Sequence, residues 1–194
     1  MENKKKSGKV IAAIMAGGAG TRFWPASRLN RPKPFIPLVG DKPLIIQTRD
    51  RLEPCLARED IFFVLGRHLE KMAKAVVPDM PSEQYLIEPI AKNTLGAVML
   101  ASAKAAVYGG DTIVCLLPSD HWVPDVEQYQ QDLELCVELA RGGQIVTMGI
   151  APTWPETGYG YIQADQHKSQ DSVGLVVKSF KEKPDIERAR EYLA

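Results

Sequence analysis

Residues 10–16 read Val-Ile-Ala-Ala-Ile-Met-Ala, an unbroken apolar run that ends in Gly17-Gly18-Ala19-Gly20. A run of strand length with no polar alternation is the pattern of a strand buried on both faces, and such a strand delivers its chain abruptly to a loop. With three glycines in four positions, that loop can take positive φ and bring its backbone close to a ligand without interference from Cβ atoms. Thr21, Arg22 and, further on, Lys33 follow it. Successive free N–H groups in a turn form an anion-binding concavity, and two nearby cations suit a phosphate chain better than a single carboxylate.

Spacing decides which kind of phosphate loop this is. A P-loop requires G-x-x-x-x-G-K-[ST], and no Lys-Ser or Lys-Thr follows the glycines. A dinucleotide-binding turn requires G-x-G-x-x-G opening directly into a helix. After Gly18-Ala19-Gly20, Phe23 stands where the third glycine belongs, and prolines at 25, 32, 34, 37 and 43 prevent an immediate helix. Both patterns fail, leaving G-G-x-G-T-R, an extended proline-rich arm, and the pair Pro32-Lys33 about a dozen residues on.

The rest of the chain alternates. Periodicity predicts a helix over 44–52, a strand over 60–66, a helix over 68–77 and a strand over 84–87. A helix over 95–108 follows, with Asn93 or Thr94 as N-cap, then a strand over 112–117, a helix over 127–140 and a strand over 144–149. Such alternation implies an α/β fold: a Rossmann-like, mostly parallel sheet with helices on both faces and ligands at the carboxyl ends of the strands. The glycine loop, Glu88-Pro89, Ser119-Asp120 and Gly149 all fall just past strand ends, so their side chains are expected along one edge. From residue 158 the pattern turns β-rich, through Tyr159-Gly160-Tyr161-Ile162 and residues 173–180, and reads as a small lobe over the site; Asp185 then caps a last helix over 186–193.

The 24 basic and 24 acidic side chains of the 194 residues cancel, which gives a nucleic-acid partner no general electrostatic support. No apolar segment approaches the roughly 20 residues that span a bilayer and no signal-peptide core precedes the first strand, so the chain is expected to be cytoplasmic, with no membrane partner. Cys55, Cys115 and Cys136 are an odd number without C-x-x-C spacing and read as small hydrophobes.

The composite pattern Gly17-Gly18-Ala19-Gly20-Thr21-Arg22, with Phe23-Trp24-Pro25-Ala26-Ser27-Arg28 and Pro32-Lys33-Pro34-Phe35, resembles the signature of the sugar-1-phosphate nucleotidyltransferases, in particular their mannose-1-phosphate guanylyltransferase branch. Pro34 departs from the glutamine usual in that family. Pro118-Ser119-Asp120-His121 is similar to the family's L-P-[SA]-D-H element, and Glu88-Pro89-Ile90-Ala91-Lys92-Asn93-Thr94 resembles its base-recognition loop. Residues 156–162 and Phe180-Lys181-Glu182-Lys183-Pro184 resemble the sugar-binding half. These motifs run from residue 16 to residue 184 in family order.

The resemblance implies nucleotidyl transfer from GTP to mannose 1-phosphate, giving GDP-mannose and pyrophosphate. It assigns Arg22, Lys33, Asp120 and Lys183 to catalysis, and Ala16, Gly17, Gly18, Gly20, Thr21, Glu88, Asn93, Thr94 and Ser119 to the nucleotide. Tyr159, Gly160 and Glu182 would bind the sugar. Asp120 would be the Mg²⁺ ligand, since Mg²⁺ uses one or two carboxylates together with phosphate oxygens and water. A carboxylate or amide in the 88–94 loop can pair with the N1–H and exocyclic amine of guanine, which adenine does not offer in that arrangement. The expected organisation is one nucleotidyltransferase domain truncated at its C-terminus, with residues 1–150 as the nucleotide half and 151–194 as the start of the sugar half; a homodimer is left open. Two alternatives stand beside this reading: transfer to another sugar 1-phosphate, and a nucleotide-sugar-binding fragment or regulatory subunit without full activity.

Overall fold

The computed structural model describes residues 8–17, 23–28, 31–90, 93–165 and 174–193, which group into two compact units, 1–141 and 142–194. The first is built on a four-stranded parallel sheet. Strand β1 (Val10–Ala16) is the apolar run that opens the chain, followed by β2 (Ile61–Gly66), β3 (Tyr85–Glu88) and β4 (Ile113–Pro118). Their order across the sheet is β3-β2-β1-β4, every pair parallel. The crossovers are α1 (Leu44–Asp50), α2 (Glu70–Val76) and α3 (Asn93–Ala106), and α4 (Val126–Arg141) follows β4.

The continuous apolar strands have the predicted cause. Ile11, Ala12, Ala13, Ile14 and Ala16 are all fully buried, as are Ile61, Phe63 and Leu65. One sheet face, carrying Ala13 and Val64, packs on Ala97 and Ala101 of α3, with Ile11 and Phe62 against Ala105. The small residues along this side of α3 let the helix approach the sheet closely. The opposite face packs against α1, through Leu44 and Ile45, and α4, through Leu133. Each buried Leu, Ile or Phe contributes about 1.5–3 kcal/mol relative to an exposed one, so this two-sided core dominates the stability of the unit.

The order of the strands fixes where a ligand can bind. From β1 the chain winds outward to β2 and β3, then returns to place β4 on the other side of β1. The winding therefore reverses between β1 and β4, and the crevice past the carboxyl ends of those two strands is the topological switch point where open parallel sheets bind ligands.

In the second unit, β5 (Tyr161–Asp165) pairs antiparallel with β6 (Val176–Lys181), with a bulge between Gln163 and Ala164. Helix α5 (Ile186–Glu191) starts as expected: the Asp185 carboxylate accepts from the Arg188 N–H at 2.9 Å. The strand expected over 144–149 is not formed. Residues 144–150 have no regular structure, and Ile145 and Ile150 project into solvent. Apolar character alone does not make a strand; it also needs a neighbouring edge to complete its hydrogen bonds, and among the described residues none is paired with this segment. No helix among the described residues is long and apolar enough to cross a membrane.

Candidate active site

Lys33 reaches the switch point from a short 3₁₀ turn, Lys33–Phe35, whose Pro34 and Phe35 are buried and whose closing bond runs from the Phe35 N–H to the Pro32 carbonyl. Pro34 stands at the start of this turn, where its missing N–H would have had no partner, so the departure from glutamine is accommodated without a broken hydrogen bond. Upstream of α1, the Gln47 amide donates to the carbonyls of Val39 and Lys42, each at 2.7 Å, and so ties the arm to the helix.

Asp120 arrives from β4. Just before it, Ser119 is buried and donates twice to one acceptor, the Met15 carbonyl of β1: from its N–H at 3.2 Å and from its hydroxyl at 2.7 Å. This ties the end of β4 to the end of β1. The Lys33 ammonium lies 3.4 Å from Asp120 Oδ2 and 4.6 Å from the centre of the Phe23 ring. His121 Nε2 is 3.7 Å from Asp120 Oδ1, with its ring largely exposed. Lys33 and Asp120 are 19% and 42% exposed, so both can meet a ligand. Ala16 and Gly17 stand at the end of β1 beside them, and among the described residues nothing lies within 4 Å of where a Cβ on Gly17 would fall. Gly18, Gly20, Thr21 and Arg22 lie outside the described residues, as does Lys92.

Glu88 ends β3, two strands from β1 and therefore roughly 10 Å from it across the sheet. With Pro89 it lines a cleft of about 430 Å³ whose other wall is Gly66, Arg67 and His68 at the end of β2. One Glu88 carboxylate oxygen, Oε1, is buried without a hydrogen-bond partner among the described residues. A buried oxygen left unpaired is costly, so this atom favours an incoming donor. Asn93, the first residue of α3, holds the left-handed conformation at φ 53°, and Thr94 beside it is exposed. Arg67 and His68 were not among the residues expected from the sequence. The rule that picked out Glu88 and Asp120, position just past a strand end, would have selected them too.

The sugar-binding candidates gather within the second unit. Tyr161 opposes Lys181 in the β5–β6 register, so Tyr159 and Gly160, just before β5, stand at the same end of the ribbon as Glu182 and Lys183, just after β6. A Cβ on Gly160 would fall 2.1 Å from Phe180 Cζ, so the glycine is what allows that ring to cross the backbone. Lys183, at φ 42°, pairs with Glu182 at 2.7 Å, and both side chains are exposed. Glu156 accepts from the Gly158 N–H at 2.8 Å and, through its carbonyl, from the Tyr161 hydroxyl at 2.9 Å, which stiffens the approach to β5. The Gly158 N–H, helped by the Trp154 indole, holds the Glu156 carboxyl below its ordinary pKa.

Residues 11–194 match the nucleotidyl transferase family. The chain is 38% identical over 192 residues to the alginate biosynthesis protein AlgA of Pseudomonas aeruginosa, and 35% identical over 193 residues to a mannose-1-phosphate guanylyltransferase of Klebsiella pneumoniae. Each alignment covers 95% of this chain and 39% and 40%, respectively, of the relative, so the chain spans about two fifths of the length of these curated relatives. A Thermus thermophilus crystal structure described as mannose-1-phosphate geranyltransferase superposes with a TM-score of 0.84 at 37% identity, over 95% of this chain and 53% of that one.

Proposed function

This chain belongs to the nucleotidyl transferase family, and we propose that it carries the guanylyl-transfer machinery that joins GTP to mannose 1-phosphate, giving GDP-mannose and pyrophosphate. The observation that carries this reading is the meeting of Lys33 and Asp120 at the β1–β4 crevice. A cation and a carboxylate from distant parts of the chain stand there beside the glycine-rich end of β1, where a triphosphate and its metal ion would lie.

The chemistry asks for little beyond placement. A phosphate oxygen of mannose 1-phosphate attacks the α-phosphorus of GTP; a new P–O bond forms there as the bond to the β-phosphate bridging oxygen breaks, and pyrophosphate leaves. The attacking oxygen is already ionised at neutral pH, so no general base is needed. Two polyanions have to approach each other, and the work of the protein is positioning and charge neutralisation.

Lys33 fits a role on the triphosphate, with Arg22 and the amides of residues 17–21 as its partners on the loop. Asp120 fits Mg²⁺: it is a partly exposed hard-oxygen donor, and among the described residues no group of three His, Cys, Asp or Glu side chains forms an all-protein metal cage. One carboxylate completed by substrate phosphates is the arrangement Mg²⁺ favours in nucleotide enzymes. When bound, that ion offsets charge on the triphosphate. Ser119, fastened to the Met15 carbonyl, fixes the backbone beside that carboxylate. The roughly 10 Å between β1 and β3 is comparable to the reach from the phosphates of a nucleotide to its base, which supports assigning guanine to Glu88, Asn93 and Thr94. Tyr159, Gly160, Glu182 and Lys183 are assigned to the acceptor, with Lys183 on its phosphate and Glu182 on two sugar hydroxyls. We infer a cytoplasmic location from the character of these substrates.

Pyrophosphate release from GTP in the presence of mannose 1-phosphate tests the proposal. Release that requires both substrates and is lost in Lys33→Ala supports it; release unaffected by that substitution removes Lys33 from the mechanism.

A further inference from the structure

Asp120 is tethered on both sides. Ser119 before it is fastened to β1, and His121 after it is held through its carbonyl, which accepts from Arg51 Nη1 at 3.2 Å. Arg51, the residue that closes α1, is only 6% exposed. Its Nη2 donates to the Thr48 hydroxyl at 2.9 Å, its guanidinium lies 5.1 Å from the centre of the Tyr129 ring, and its own carbonyl accepts from the Gln130 side chain at 2.8 Å. Its Nε is buried with no partner among the described residues. No carboxylate among them pairs with it, and burial, acting against Tyr129, lowers its pKa from the ordinary arginine value.

The contrast with Arg49 shows how unusual this is. Arg49, two residues earlier and 8% exposed, is paired with Asp50, Glu53 and Asp79. A buried charge without a counter-ion is unfavourable, and a space between two helices is filled more stably by an apolar side chain of similar size. The fork of Arg51 does one thing that such a side chain cannot: it spans from α1 to the loop backbone directly after Asp120.

We propose that Arg51 is a positioning residue for Asp120, fixing the loop so that the carboxylate is set toward the crevice before substrate arrives. The proposal rests on the reading of Asp120 as the residue that holds the metal of the nucleotide. It links the position of the Asp120 carboxylate to the packing of α1 against α4.

The test is Mn²⁺ binding in the presence of GTP, followed by the electron paramagnetic resonance signal of free Mn²⁺, with thermal unfolding recorded for every variant. Removing residues that orient a metal ligand typically weakens metal binding by about 10- to 100-fold, and a loss in that range is expected for Arg51→Met. Arg51→Lys, which keeps a cation but has a single donor nitrogen in place of the fork, should recover part of it. Arg49→Met is the control, expected to lower the unfolding temperature while leaving the Mn²⁺ affinity as it was. Wild-type affinity in Arg51→Met overturns the proposal, as does an equal loss in Arg49→Met; if Arg51→Met does not fold, wild-type affinity in Arg51→Lys overturns it. Should Asp120→Asn bind Mn²⁺ as tightly as the wild type, the metal-ligand reading itself has failed, a result distinguishable from failure of the tether alone.

Discussion

The Lys33 ammonium lies 3.4 Å from Asp120 Oδ2, although 87 residues separate them in the chain. With both side chains in contact with solvent, such a pair contributes at most about 1 kcal/mol to folding. Its position at the switch point of the sheet therefore calls for a reason other than stability.

Lys33→Ala should separate the two. Its unfolding free energy is expected to stay within about 1 kcal/mol of wild type, while turnover falls by about 100-fold or more, the scale on which a charge-stabilising donor acts in a transition state. Urea denaturation and pyrophosphate release measured on the same samples decide it. A large stability loss with unchanged turnover would show the lysine to be structural.

Ser119→Ala removes the hydroxyl that donates to Met15 but leaves the N–H that donates to the same carbonyl. Because that buried acceptor keeps one donor, the expected cost is near the lower end of the range for a hydrogen bond, about 0.5–1 kcal/mol. Chemical denaturation reads the cost, and a loss above about 3 kcal/mol would mean that the hydroxyl holds more of the β1–β4 junction than this one bond.

Acid should weaken the first unit through the cluster around Arg49. Burial pushes the Asp50 carboxyl up, but hydrogen bonds from Lys42 and Arg49 outweigh it and leave the pKa below its ordinary value. Asp79 likewise is raised by burial and brought lower by Arg58 and Arg49. A carboxylate whose pKa is lower in the folded than in the unfolded chain adds stability that is fully present above the unfolded value, about 3.9, and is lost as pH falls through the folded one. Stability contributed here should thus be constant at neutral pH and decline below about pH 4. Both carboxylates are partly exposed, so the decline should be shallower at high salt. In Asp79→Asn the acid-dependent slope should be reduced, as measured by urea midpoints across pH; an unchanged slope would remove this cluster as the cause.

Glu88→Gln tests whether the cleft lined by Glu88 and Pro89 reads the base. The amide keeps one acceptor and turns the other into a donor, which would face the donors on guanine. GTP affinity should fall by about tenfold, equivalent to about 1.4 kcal/mol, while ATP affinity changes little. Isothermal titration with both nucleotides reads the outcome, and equal losses for the two would mean that Glu88 does not read the base.

Much of the first unit was legible from the sequence because its signals are local. The apolar runs that become β1 and β2 are buried on both faces, the run of β4 is partly so, and Gly and Pro punctuate all three, so strands, crossovers and the edge bearing Asp120 follow from residue order. Residues 144–149 misled for the same reason: apolar content marks a segment that could be a strand, while pairing depends on a neighbour that no local pattern reveals. Arg51 was invisible for the opposite reason. An arginine between Asp50 and Leu52 reads as part of a solvated helix face, and only the packing of α1 against Tyr129 and the loop at His121 shows it buried. Arg67 and His68 were within reach of the strand-end rule, but the residues that follow them have no glycine or proline signature to single them out.

Whether Lys33 and Asp120 bracket a magnesium-bound guanine nucleotide at the β1–β4 crevice is read by titration calorimetry with GTP, with and without Mg²⁺. Binding is expected to weaken by about tenfold or more, or about 1.4 kcal/mol, when Mg²⁺ is withheld, when Asp120 is changed to Asn and when Lys33 is changed to Ala. GTP binding of the same strength in all four conditions would contradict it.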